Sequence, residues 1–192
     1  MKVVAFSGSA RKDGNTAALV RHVFAELESA GIECELIQLA GKKVRGCTAC
    51  MKCAETKTGN CTGVKDFISD ECIPRALEAD GIIIASPVYF ADVTTETKAL
   101  IDRLGYASGK GDNRLARKVG AGVIAVRRAG AIHAFDTINH LFLIREMVIV
   151  GSSYWNIGIG REPGEVEGDE EGIRTMRTLG RNMAWALEKL NS

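Results

Sequence analysis

Apolar and polar positions recur at two spacings along the chain, and the spacings take turns from end to end. Lys2–Ser7 (KVVAFS) is a short β-rich run. A turn of Gly, Ser and Asp follows, and then Leu19, Val20, Val23, Phe24 and Leu27 recur at helical spacing. That predicts a helix over Asn15–Ala30, capped by Gly31. Ile32–Leu39 reads as a second strand, and residues 40–65 as a long polar loop. A helix is expected over Phe67–Ala79. Gly81–Ser86 (GIIIAS) is continuously apolar, as a parallel strand buried on both faces should be. Thr94–Leu104 is helical, Lys118–Val126 a fourth strand, Ile132–Glu146 a helix and Met147–Gly151 a fifth strand. Gly158–Gly168 reads as a long connecting loop. Asp169–Leu190 closes the chain as a helix with a buried stripe of Ile173, Met176, Leu179, Met183, Leu187 and Leu190. Five strands alternating with five helices imply one parallel sheet with helices on both faces. Right-handed crossovers leave 2-1-3-4-5 as the natural strand order, which puts a ligand crevice between the ends of strands one and three.

At 192 residues the chain is one domain, 1–192, long enough to bury roughly 70% of its unfolded surface. It has 25 basic and 24 acidic side chains, a net charge of +1. That balance excludes a generic nucleic-acid binder and argues against a strongly acidic electron carrier. No apolar run approaches the ~20 residues of a membrane span, and Val3–Phe6 is too short for a signal-peptide core. A cytoplasmic protein without membrane contact is expected. Thiols there stay reduced, so disulfides explain the six cysteines poorly.

The first strand runs into Ser7-Gly8-Ser9-Ala10-Arg11-Lys12-Asp13-Gly14-Asn15-Thr16, where a helix begins. A helix N-terminus with nearby hydroxyls and an arginine suits an anion. The spacing matches neither GxGxxG nor GxxxxGK[ST]. A polar turn with a capping Asn15 or Thr16 is the plainer alternative. A second segment, Ser86-Pro87-Val88-Tyr89-Phe90-Ala91-Asp92-Val93, precedes Lys98, Ile101, Asp102 and Arg103. Together the two segments resemble the FMN phosphate loop and the SPVYF…K…iDR signature of the NADPH-dependent FMN reductase group. That resemblance implies a flavodoxin-like three-layer α/β sandwich that binds FMN. Ser7, Ser9, Arg11, Asn15 and Thr16 would hold its phosphate, and Pro87, Val88, Tyr89 and Phe90 would line its ring. Arg127, after strand four, would stabilise the anionic reduced ring.

The remaining constellation is Cys47-x2-Cys50-x2-Cys53-x7-Cys61. Three thiolates three residues apart can curl around one inorganic cluster, and a fourth can close the coordination. Lys42, Lys43, Arg45, Lys52 and Lys57 surround them. Free or oxidised thiols, zinc and a redox CxxC remain alternatives on spacing alone. The spacing resembles the compact cysteine motif of the iron–sulfur flavoproteins, a branch of the same group with a [4Fe–4S] cluster beside the flavin. What the resemblance implies is an FMN-dependent oxidoreductase that exchanges electrons with NAD(P)H or a ferredoxin-like carrier and assembles as a homodimer or homotetramer. A cluster-free NAD(P)H-dependent FMN or quinone reductase, a non-catalytic flavodoxin-like carrier and a flavin-free metal-stabilised module are the other readings. No side chain is assigned as catalytic. His22, His133 and His140 are isolated, and Asp169, Glu170 and Glu171 fit a helix start. Cys34 and Cys72 are expected as buried small hydrophobes.

Overall fold

The structure, a computed structural model, describes residues 1–191. Its strands are β1 (Lys2–Ser7), β2 (Glu33–Gln38), β3 (Gly81–Pro87), β4 (Val119–Val126), β5 (Val148–Ile149) and β6 (Ile157–Ile159). Its α-helices are α1 (Asn15–Ser29), α2 (Lys52–Thr56), α3 (Ile73–Glu78), α4 (Thr95–Ser108), α5 (Ala131–Ile144) and α6 (Glu170–Leu190). The sheet runs β2-β1-β3-β4-β5, all parallel, with β6 also paired to β4. The expected order therefore holds.

Alternation along the central strands divides the core in two. Val4, Phe6, Ile82, Ile84, Ile124 and Val126 point towards α3, α4 and α5. Val3, Ala5, Ile83, Ala85, Ala121 and Val123 point towards α1 and α6. Both sets are almost wholly buried, so β1, β3 and β4 read as continuous apolar runs rather than alternating ones. No helix among the described residues is long and apolar enough to cross a membrane.

The structure departs from the expected elements at four places. The helix expected over Phe67–Ala79 opens instead with a π-helical turn, Ile68–Cys72, in which the Ile73 N–H donates to the Ile68 carbonyl. Pro74 stands at the start of α3. Its ring has no N–H and would strike the carbonyl four residues back, so a regular α-turn cannot run through it. The fifth strand is broken. Only Val148–Ile149 pairs the beginning of β4, and Ile157–Ile159 pairs its end. Asn156 fills the gap: its backbone carbonyl accepts from Ile124 at 2.9 Å and its Nδ2 donates to the Gly122 carbonyl at 3.0 Å. The loop expected at Gly158–Gly168 accordingly begins inside β6 and holds a 3-10 turn, Glu165–Gly168, anchored by buried Val166. Finally, the 40–65 loop contains α2, one short helix between two residues in left-handed conformation, Met51 and Lys57.

Candidate functional site

Three loops leave the carboxyl ends of β1, β3 and β4 and meet over the crevice where the strand order reverses. The first is held by Gly8. Its N–H donates to the Ala85 carbonyl at 2.9 Å, and its carbonyl accepts from Thr94 Oγ1 at 2.9 Å. Thr94 also caps α4, accepting from the Thr97 N–H at 3.2 Å. A side chain at position 8 would overlap both threonines, so the site admits nothing larger than glycine's own second hydrogen. The second loop is tied down by Ser86, whose Oγ accepts from the Thr94 N–H at 3.1 Å and donates to the Pro87 carbonyl at 2.8 Å. The third turns at Gly130, with φ of 86°, against Ala91 and Val88. An L side chain there would be strained in conformation and would lie 2.7 Å from the Ala91 Cα.

Between these loops is a cavity of about 190 Å³. Ser9, Arg11, Asn15, Thr16, Pro87, Val88, Tyr89 and Arg127 line it, together with Gly14, Ala125, Gly160 and Arg161. Eight of the residues proposed from sequence thus meet in one place. The α1 N-terminus at Gly14 has no side-chain cap, and no carboxylate is among the lining residues. The cavity therefore combines three guanidinium groups, the positive end of a helix dipole, three hydroxyls and an apolar wall. That donor set fits a phosphomonoester joined to a flat apolar ring, as FMN is.

Two of the proposed residues stand elsewhere. Ser7 is fully buried at the end of β1, and its hydroxyl has no partner in the structure, yet it does not line the cavity. Phe90 is fully exposed at the tip of a two-residue turn in which Tyr89 and Asp92 exchange backbone hydrogen bonds at 2.8 and 3.1 Å. Phe90 and Ala91 both have positive φ, which points the Phe90 ring outwards rather than onto the cavity wall. Asn15 lines the cavity, but its Oδ1 is engaged by the 160s loop, accepting from the Gly164 and Val166 N–H groups at 2.9 and 3.4 Å. It staples the 160s loop over the turn between β1 and α1. Arg11 does the same from the other side, with Nη1 donating to the Arg161 carbonyl at 3.0 Å. No local pattern in the sequence marks Arg161, which lies 150 residues from Arg11.

A second cavity of about 360 Å³ adjoins the first across the β4 loop. His133, Tyr154 and Trp155 border it, the two aromatics meeting edge to face at 4.5 Å. His133 also approaches Asp92 at 3.6 Å. His22 bonds Glu167 at 2.9 Å on the surface, and Asp169 caps α6 by accepting from Gly172 at 3.0 Å.

In the 40–65 loop, Cys47 and Cys50 are exposed while Cys53 and Cys61 are buried. Among the described residues, no three His, Cys, Asp or Glu side chains are gathered into a set that could hold one metal ion. The chemistry around the sulfurs nevertheless fits an anionic cluster. Ala49 and Met51, within the motif, take positive φ. Such alternation turns successive N–H groups inwards, the concavity used for phosphates and iron–sulfur groups. The Ala49 N–H donates to Cys47 Sγ at 3.4 Å. The Lys52 N–H and then the Thr48 hydroxyl hold the Cys50 thiol below its usual range. By contrast, burial pushes the Cys34 and Cys72 thiols up to about 12, which suits inert packing residues.

Residues 1–162 match the family model described as NADPH-dependent FMN reductase. An iron–sulfur flavoprotein of Methanocaldococcus jannaschii is 38% identical over 196 aligned positions, covering 96% of each chain. Among solved structures, RosB with a bound flavin intermediate superposes with a TM-score of 0.78 at 19% identity, over all of this chain and 80% of that one. A flavodoxin from the domain Archaea superposes with a TM-score of 0.64 at 16% identity, over the whole of both chains.

Proposed function

The chain belongs to the NADPH-dependent FMN reductase family, and from that premise we propose that it is an FMN-dependent oxidoreductase of the iron–sulfur flavoprotein type. The observation that carries the flavin half is the convergence of three arginines, an uncapped helix start and the Pro87–Tyr89 wall in one cavity. FMN bound there would supply the redox chemistry, exchanging electrons singly or in pairs. The chain's own residues bind and orient. Arg11, Ser9 and Thr16 hold the phosphate at the start of α1. Pro87, Val88 and Tyr89 give the ring an apolar face. Arg127 offers positive charge to the reduced, anionic ring. No His, Asp or Glu is among the residues lining the cavity, so their roles in this reading are to bind and orient.

In this reading Cys47, Cys50, Cys53 and Cys61 hold a [4Fe–4S] cluster, which gives the protein a one-electron port to a carrier such as a ferredoxin, alongside NAD(P)H at the flavin. The named relative and the Ala49 and Lys52 N–H groups that meet Cys47 and Cys50 support it. Exposed Ile132, Tyr154, Trp155 and Ile159 form an apolar surface suited to a homo-oligomer, a dimer or tetramer. A cluster held by four thiolates needs a reducing compartment, which supports a cytoplasmic location.

The test is the anaerobically purified protein. Flavin bands with a broad shoulder near ~400 nm and stoichiometric iron and sulfide are expected. Replacing any one of the four cysteines by Ser should lower iron and leave FMN bound, and Cys34→Ser should change neither. Flavin without iron would move the protein to a cluster-free flavin reductase. Loss of FMN from every preparation would overturn the reading altogether.

A further inference from the structure

α4 carries an arginine that the flavin site does not use. Arg103 is 1% exposed and heads the fully buried side chains by volume. A guanidinium without water must find acceptors, because an unpaired charge in the core is strongly destabilising. All of those acceptors belong to the segment from Arg45 to Asp66. Nη1 donates to both Asp66 oxygens at 2.7 Å and to the Arg45 carbonyl at 3.0 Å. Nη2 donates to the Val64 carbonyl at 2.9 Å. Nε donates to Cys61 Sγ at 3.3 Å. Asp66 neutralises the charge and accepts in addition from the Arg45, Ile68 and Ser69 N–H groups at 2.8, 3.0 and 3.3 Å.

The ion pair and the two carbonyls suffice to anchor the loop. The Nε contact is different in kind. A neutral thiol is a weak acceptor, a poor partner for a fully charged donor in a dry site. The match becomes good where the sulfur carries negative charge, as a metal-bound cysteine does.

We propose that Arg103 is a positioning residue for the cluster: its Nε–H fixes Cys61 as the fourth ligand and raises the cluster's reduction potential. This rests on the iron–sulfur reading above. The physical basis is that the reduced cluster bears one more negative charge than the oxidised one, so a hydrogen bond from a cation to a ligand sulfur favours reduction. The geometry also gives the long gap between Cys53 and Cys61 a purpose. Those intervening residues bring the chain back to α4, where Cys61 meets the Arg103 Nε.

Two variants separate this role from loop anchoring. Asp66→Asn breaks the ion pair but keeps the Arg103–Cys61 contact. Arg103→Gln with Asp66→Asn removes the contact too and leaves no charge buried. Anaerobic redox titration of the holoprotein, followed by EPR, should show the double variant more negative than Asp66→Asn by about 59 mV. That is the one-electron equivalent of a tenfold loss of preference for the reduced cluster. The flavin potential should not move. A measurement on the unaltered sequence stands independently of whether the variants fold. Wild-type protein labelled with 15N in the arginine guanidinium should show 15N coupling to the reduced cluster in pulsed EPR. With iron and sulfide present, an unchanged potential or an absent 15N coupling overturns the proposal alone. Wild type without iron and sulfide overturns the cluster reading and this proposal with it.

Discussion

Replacing Gly8 by Ala tests whether the flavin loops are held by contact with α4. A Cβ built at position 8 lies 1.8 Å from Thr97 Oγ1 and 2.7 Å from Thr94 Oγ1. Ordinary contact needs well over 3 Å, so Thr97 must turn its hydroxyl away and the loop must also lift from Thr94. Thr97 is 1% exposed, and its Oγ1 bonds Thr94 Oγ1 at 2.9 Å. Turning away strands a buried hydroxyl, at a cost of about 1–3 kcal/mol. Lifting the loop lengthens the Thr94–Gly8 and Gly8–Ala85 bonds and overpacks the junction, at about 1–3 kcal/mol more. Gly8→Ala should therefore lose about 2–6 kcal/mol, a large share of the stability of a domain of this size. By the usual scaling, melting should fall by about 4–24 °C. Urea denaturation with and without FMN measures both the stability loss and the weakened flavin binding. The refinement is a double-mutant cycle with Thr97→Ala, which removes the nearest obstructing oxygen. The two changes should be non-additive by more than about 1 kcal/mol, the double variant being more stable than the sum of the singles requires. Strict additivity, or a Gly8→Ala protein as stable as wild type, would refute the reasoning.

Arg11→Ala should weaken FMN binding by about 1.5–3 kcal/mol, a charge-assisted bond, while riboflavin binding barely changes; equal losses for both ligands in fluorescence titrations would remove Arg11 from the phosphate. Asn15→Ala frees the Gly164 and Val166 N–H groups, so limited proteolysis should cut between residues 160 and 165 faster than in wild type, with a stability loss of about 1–3 kcal/mol. The hydrogen bond from Lys2 holds the Glu35 carboxyl below its ordinary value. A lowered folded pKa means that the carboxylate stabilises the fold above its unfolded pKa of about 4.3 and loses that contribution as pH falls through the folded value. Glu35→Gln should therefore flatten the acid limb of the urea midpoint between about pH 5 and 3, and an unchanged limb would argue against the Lys2–Glu35 pair.

Periodicity along the sequence determines the alternation of strands and helices, because burying one face of an element needs only i+2 or i+3/i+4 neighbours of the right kind. Continuous apolar runs at Val3–Phe6 and Gly81–Ala85 mark central parallel strands, and handed crossovers then set their order. From that order follows the meeting of the Ser9–Thr16 and Pro87–Tyr89 segments at one crevice. What tertiary structure alone decided lies in contacts without local signature. Asn15 is spent on a loop 149 residues away, Arg161 joins the cavity from 150 residues beyond Arg11, and Arg103 reaches back 42 residues to Cys61. Phe90 leaves the cavity because a tight turn with positive φ at two non-glycine residues aims its ring at solvent. The fifth strand breaks because Asn156, not a strand residue, satisfies the middle of β4. A polar side chain in sequence shows only what it could donate or accept. Which buried group lacks a partner, and so claims it, exists only once the distant segments have packed.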